Sequence, residues 1–252
     1  MNSQLSPANI RKNYEKPYVI DKKVVYLQTK ALYNPKVMAK NQLWHDDYWL
    51  LLMQLYLRKP VGVKAMYSRP MVELSIELHI APQQLFARMC EIANLETPRI
   101  ERIWQEYSRN PKRLTRAVQL LRNMMGFGSA GGFYEGVEVE ETFERDFRPL
   151  AEDERLTPVM LILILDQYFR LTPITMVEKT PEVRQLSSLL HIPVSLVVDV
   201  MDIFQHCDPY LNRRDVTISP LLSPCQQIWQ RYGNIDTRQL ASYAEQLKDY
   251  FK

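Results

Sequence analysis

The residues able to do covalent or metal chemistry are few: 4 His, 3 Cys and a scatter of carboxylates. His45 stands beside Asp46 and Asp47, a grouping suited to acid–base work or to metal ligation, and His206-Cys207 with Cys225 supplies three zinc-type ligands. Neither grouping completes a site. Asp46 and Asp47 precede an apolar run with helical spacing, where carboxylates cap a helix start and meet the positive end of its dipole. Zinc takes four ligands, and no fourth stands at a suitable spacing from the second group. No Ser/His/Asp or Cys/His arrangement can be assigned, so the sequence predicts a non-enzyme with no cofactor and no metal.

The remaining polar residues bind rather than react. Arg58, Lys59, Lys64 and Arg69 surround one loop and turn. Arg88 lies on the helix that follows, with Gln83 and Gln84 at its start, and Lys112, Arg113 and Arg116 open a later helix. Arginine and lysine hold phosphates, and glutamine pairs with the edge of adenine, so these ten residues form a candidate nucleic-acid contact set. The plain alternative is a solvated basic face. Charge sorts the chain in the same sense: residues 1–128 carry 20 Lys and Arg against 10 Asp and Glu, and residues 129–252 carry 12 against 19. The net +3 therefore joins a half at +10 to a half at −7. Phosphate polymers are drawn to the first half and repelled by the second, which predicts DNA contact by the basic half and protein contact by the acidic half. The competing expectation is a protein-interaction or self-association module, without nucleic acid, in which the two signs attract each other. Residues 11–40 add a basic arm, with 8 Lys and Arg, 2 acidic residues, and Tyr14, Tyr18, Tyr26 and Tyr33 interleaved. Such an arm lies in a minor groove, stacks on bases, or wraps its own domain through the tyrosines.

These residues are positioned by a pattern that occurs twice. Leu55-Tyr56-Leu57-Arg58-Lys59-Pro60 lines up with Gln167-Tyr168-Phe169-Arg170-Leu171-Thr172-Pro173. Ser68-Arg69-Pro70-Met71-Val72 lines up with Lys179-Thr180-Pro181-Glu182-Val183, and Leu78-His79-Ile80 with Leu190-His191-Ile192. Ile103-Trp104-Gln105-Glu106-Tyr107 returns as Ile228-Trp229-Gln230-Arg231-Tyr232, displaced by the extra loop from Asn212 to Pro224. Each copy reads as an apolar helix stopped by Pro60 or Pro173, a second short helix, a tight turn at His79 or His191, a third helix, one opened or occupied by Trp104 or Trp229, and a fifth. The fold class expected is all-α, a tandem duplication of a small helix-turn-helix-like domain. The division is a basic arm at 1–43, a basic first copy at 44–125, a Gly-rich then acidic linker at 126–156, and an acidic second copy at 157–252. Within the linker, residues 133–140 alternate enough for a hairpin, and Val24 to Leu27 carry the other strand signal.

The order of features in the first copy resembles a known family. Tyr56 with Pro60 and Gly62, then Pro70 and Val72, the turn, Met89-Cys90-Glu91-Ile92-Ala93-Asn94-Leu95-Glu96 and Ile103-Trp104 with Tyr107 are similar to the N-terminal recognition domain of bacterial HNH-type restriction-like endonucleases. The resemblance covers residues 44–122 and, more loosely, 158–251, and implies a tandem helix-turn-helix-like module associated with DNA. That family's turn carries a glycine, a basic residue and small hydroxyls, whereas here the turns are His79-Ile80-Ala81-Pro82 and His191-Ile192-Pro193-Val194. None of the four histidines stands in a His-Asn-His arrangement, so the nuclease chemistry is absent.

Composition sets the remaining limits. With 252 residues, 46% hydrophobic, 24% charged and 7 Gly, the chain is an ordinary globular protein of one large or two small domains, not a fibrous or disordered one. An odd number of cysteines without a CxxC pair suits a reducing cytoplasm. The longest apolar run, from Val159 to Leu165, is far short of the roughly 20 residues of a membrane helix, so neither secretion nor a membrane span is expected.

Overall fold

A computed structural model describes residues 44–124, 127, 143–211 and 219–252. The basic arm, the hairpin expected at 133–140 and the strand signal at Val24 to Leu27 lie outside the described residues. What is described is all-α. Five helices, α1 (Tyr48–Leu57), α2 (Arg69–Leu78), α3 (Pro82–Asn94), α4 (Pro98–Tyr107) and α5 (Pro111–Arg122), precede a short α6 (Phe143–Asp146). Five more follow: α7 (Pro158–Arg170), α8 (Pro181–Leu190), α9 (Val194–Cys207), α10 (Leu222–Tyr232) and α11 (Thr237–Leu247).

Proline follows the ends of α1 and α7, at Pro60 and Pro173, and opens more helices than it closes. A proline stands in the first turn of α2, α3, α4, α5, α7 and α8, where its missing N–H is one the helix leaves unpaired anyway. Thr97 and Thr157 complete two of these starts by accepting the Ile100 and Met160 amides. Asp47, expected to cap α1, makes no side-chain cap bond, and Asp46 is drawn instead to Arg99 at 2.8 Å.

Several local features recur in the two sets of five helices. His79 (φ 54°, ψ 33°) and His191 (φ 57°, ψ 37°) both end their helices in the left-handed conformation. In each, the isoleucine that follows donates its amide to a serine carbonyl, Ile80 to Ser75 at 3.0 Å and Ile192 to Ser187 at 3.2 Å, the bond that terminates a helix through a left-handed residue. Tyr56 meets Trp104 edge-on at 5.8 Å and 76°, and Tyr168 meets Trp229 at 5.8 Å and 75°. Leu114, Val118 and Leu121 are the buried stripe of α5, as Leu240, Ala244 and Leu247 are of α11.

Each set has its own core, and the boundary between them departs from the expected one. The first core gathers Leu52, Met71, Leu74, Leu85, Met89 and Leu114, and the second gathers Val159, Leu163, Val197, Phe204 and Trp229. Tyr67 and Val72, from the first set, are buried in the second core. Residues 143–156, expected as linker, fold into the same joint: Phe147 is buried there, Leu156 is fully buried, and Glu144 and Asp146 are buried on α6. So α2 serves two cores, with Met71, Leu74 and Leu78 toward the first and Val72 and Ile76 toward the second.

Candidate nucleic-acid interface

Three residues separate α2 from α3, and three separate α8 from α9, the latter pair meeting at a bend of 110°. In α3 the residues Leu85, Phe86, Met89 and Ile92 are buried, while Gln83, Gln84 and Ala87 at its start are exposed. Beside this helix runs the loop after α1, where the Lys64 amide meets Met89 Sδ at 3.2 Å. Lys64 clamps that loop: Nζ donates to the Arg58 carbonyl at 2.6 Å and to the Pro60 carbonyl. Burial, and then the nearby Arg58 charge, push the Lys64 ammonium below its usual range. Arg58 and Lys59 are exposed at the edge of this loop. The arrangement sets Lys64 close to Arg58 on a loop that meets α3 at Met89, two turns past the helix start.

The ten expected residues do not form one patch. Arg58, Lys59 and Lys64 share the loop, whereas Gln83 Nε2 donates at 2.6 Å to the hydroxyl of Tyr67, which is buried in the second core. Gln84 stands beside it on α3. Arg69 turns to the joint instead, its guanidinium 5.5 Å from the Tyr250 ring. Arg88, its side chain 41% exposed, pairs with Glu91 at 2.9 Å and lies over Trp44 and Trp49 at 5.3 and 5.9 Å. Arg113 is held by Glu106 at 2.6 Å and lies 5.7 Å from the Tyr107 ring. Lys112 and Arg116 are exposed on α5, which packs on α1 and α4.

The charge split also sits elsewhere than the two-halves reading placed it. Residues 1–43 carry 8 cations against 2 anions, residues 44–125 carry 12 against 8, residues 126–156 carry 3 against 9, and residues 157–252 carry 9 against 10. Residues 157–252 are thus close to neutral, and the negative charge belongs to residues 126–156. Part of that charge is consumed locally. Glu144 Oε1 lies 2.7 Å from His79 Nδ1 and Oε2 accepts from Arg148 at 3.2 Å, while Asp146 receives both guanidinium arms of Arg231 at 2.8 and 2.9 Å. That bidentate bond holds Arg231 firmly charged.

Sequence reasoning passed over the joint itself. Tyr67 packs against Phe147 at 6.3 Å and edge-on against Tyr243 at 5.8 Å, Tyr243 stacks on Tyr232, and Phe147 meets Tyr250 at 5.1 Å. Burial drives the phenols of Tyr67, Tyr232 and Tyr243 above their usual range, so they serve as neutral donors and acceptors. Aligned on the helix ends, with Ser75 on Ser187 and Leu78 on Leu190, buried Val72 falls opposite exposed Arg184, one position off the sequence alignment that set it against Val183, and that slip hid the apolar-against-charged signal.

Among the described residues no three His, Cys, Asp or Glu side chains gather in a way that could hold a metal ion. Burial pushes the Cys207 thiol up to about 11 and the Cys225 thiol up to about 12. The thiolate is the nucleophile, so at pH 8 iodoacetamide should leave Cys225 unlabelled in the native protein and modify it only after denaturation. Mass spectrometry of the tryptic peptides reads this directly, and rapid native labelling would contradict the burial.

Among the described residues no single helix is long and apolar enough to cross a membrane. Comparison with protein-family models, with curated proteins and with solved structures finds no match for this chain.

Proposed function

We propose that this is a non-catalytic, cytoplasmic nucleic-acid-associated protein built by duplication of a five-helix module. Its first module contacts nucleic acid through the start of α3 and the loop at residues 58–64. The observation that carries this reading is the exposure of Gln83, Gln84 and Ala87 on α3, the same helix on which the loop of Arg58, Lys59 and Lys64 rests at Met89. The three-residue turns and the 110° bend of the second pair fall within the helix-turn-helix range, which supports assigning α3 the recognition role. Cations at Arg58 and Lys59 position a phosphate backbone, and Gln84, whose amide is not committed to Tyr67, is the better placed glutamine for a base edge. The second module braces the first. The reading in which opposite charges of the two halves pair with each other has less support, because the joint is made chiefly of Tyr67, Val72, Phe147, Tyr243 and Tyr250.

Binding of the full chain to duplex DNA over a salt series tests the reading. Affinity should fall steeply with salt, and the double variant Arg58→Ala/Lys59→Ala should flatten the log–log slope by about 2, roughly one per lost phosphate contact. Absence of binding at low salt, or affinity indifferent to salt, would overturn it.

A further inference from the structure

We infer that Tyr67 and Glu144 are positioning residues for α3: the joint between the modules grips the α2–α3 turn at both ends and so sets how the exposed side of α3 is presented. This rests on the nucleic-acid contact proposed for α3. The turn is His79-Ile80-Ala81. At its first residue, His79 Nδ1 lies 2.7 Å from Oε1 of Glu144, which is 5% exposed on α6, an arrangement in which the ring donates and the carboxylate accepts. Just past the turn, Gln83, the second residue of α3, donates from Nε2 to the Tyr67 hydroxyl at 2.6 Å, and Tyr67 is 3% exposed.

Both grips lead into the second module. Glu144 is held in place by its neighbours: Phe147 is buried in the second core, and Asp146 takes both guanidinium arms of Arg231 on α10. Tyr67 meets Tyr243 of α11 edge-on at 5.8 Å. A turn tied to two packed helices of the other module changes its position only when the joint does.

The second module shows that neither grip is needed to build such a turn. Aligned on the helix ends, His79 falls on His191, Tyr67 on Lys179 and Gln83 on Ser195. His191 holds the same left-handed conformation and Ile192 makes the same helix-ending bond, yet Lys179, His191 and Ser195 are all exposed. What the grips add is therefore a fixed relation between α3 and the joint. They fall on the module whose third helix exposes Gln83 and Gln84 at its start, whereas α9 exposes Ser195 and Asp199, and Asp199 repels phosphate. A helix that reads base edges binds more tightly when its ordering is completed on folding rather than on contact. With its amide engaged, Gln83 acts through Tyr67 and leaves Gln84 to face the ligand.

The test measures the affinity of the full chain for a fluorescein-labelled DNA duplex over a salt series, with circular dichroism to check that each variant is folded. Tyr67→Phe deletes the hydroxyl and keeps the ring, Gln83→Ala breaks the same bond from its exposed end, and Glu144→Leu removes the acceptor for His79. Each should weaken binding about three- to tenfold, the equivalent of one hydrogen bond. The double variant Tyr67→Phe/Gln83→Ala should bind no more weakly than either single one, because both break one bond. Glu144→Gln keeps an acceptor for the ring and should recover most of the affinity lost in Glu144→Leu. All should keep the wild-type salt slope, since no phosphate contact is removed. Without DNA, the Gln84 and Leu85 amides, both bonded to the Ala81 carbonyl, should exchange faster in Tyr67→Phe. Wild-type affinity and exchange in Tyr67→Phe, even with thermal stability lowered, would overturn the inference and leave the DNA reading standing. So would a loss of affinity confined to Gln83→Ala, which would make Gln83 a direct contact. No binding by the wild type at low salt would overturn the reading and the inference together.

Discussion

Val72→Arg should open the joint between the two modules. Val72 is fully buried in the second core although it stands on α2 of the first module, and its counterpart Arg184 is exposed, with Nε donating to the Glu178 carbonyl at 2.8 Å. Placing a guanidinium at residue 72 buries an unpaired charge beside Tyr67 and Phe147, a change that costs about 3–5 kcal/mol where the structure cannot yield. Here the structure can yield by separating, so the cost is limited to what the joint contributes. The expected result is that cooperative unfolding of the wild type splits into two transitions, the lower falling by several degrees at roughly 2–4 °C per kcal/mol. The amides of α2 should also exchange faster in the variant, because the helix loses one of its two cores. The reverse substitution, Arg184→Val, lies on an exposed face and should stay within about 0.5 kcal/mol of wild type. A Val72→Arg protein with one unshifted transition would mean that the modules do not depend on this contact.

Helix order was legible in the sequence because it rests on local signals. Apolar spacing, Pro98 and Pro158 in first turns, and the repeated Leu-His-Ile turns each act within a few residues. The joint was not legible from those signals, since burial of Tyr67 and Val72 depends on Phe147, Tyr243 and Tyr250, which lie 75 or more positions away in the chain. Charge counting misplaced the acidic character for a related reason. A sum over half the chain merges residues 126–156 with a nearly neutral module, and it cannot register that Glu144 and Asp146 already hold His79, Arg148 and Arg231. The candidate interface shows the same division. The loop of Arg58, Lys59 and Lys64 is local in sequence and stays together, whereas Arg88 and Arg113, though still exposed, are paired with Glu91 and Glu106 and lie over Trp44 and Tyr107, partners that only the packed helices settle.

The two repeated tryptophans give the sharpest comparison of the modules, because matching position predicts equal roles and burial predicts unequal ones. Trp229 is 9% exposed and lies 5.8, 5.6 and 6.3 Å from the rings of Tyr168, Phe169 and Phe204. The chain closes tightly over it: a side chain at Gly233 would meet the Trp229 indole at 2.8 Å. Trp104 is only half-buried and joins Tyr56. Truncating a fully packed aromatic residue removes its transfer free energy and leaves a cavity that neighbours fill incompletely, so Trp229→Ala should cost about 3–5 kcal/mol. Trp104→Ala leaves a space open to water and should cost about 1–2 kcal/mol, the loss of partial burial and one edge-on ring contact. Urea unfolding monitored by circular dichroism, with the slope held constant, measures both. Equal costs would show that the two tryptophans anchor their modules alike. A difference of 2 kcal/mol or more would show that the second module, which also supplies the core for Tyr67 and Val72, is the more firmly packed of the two.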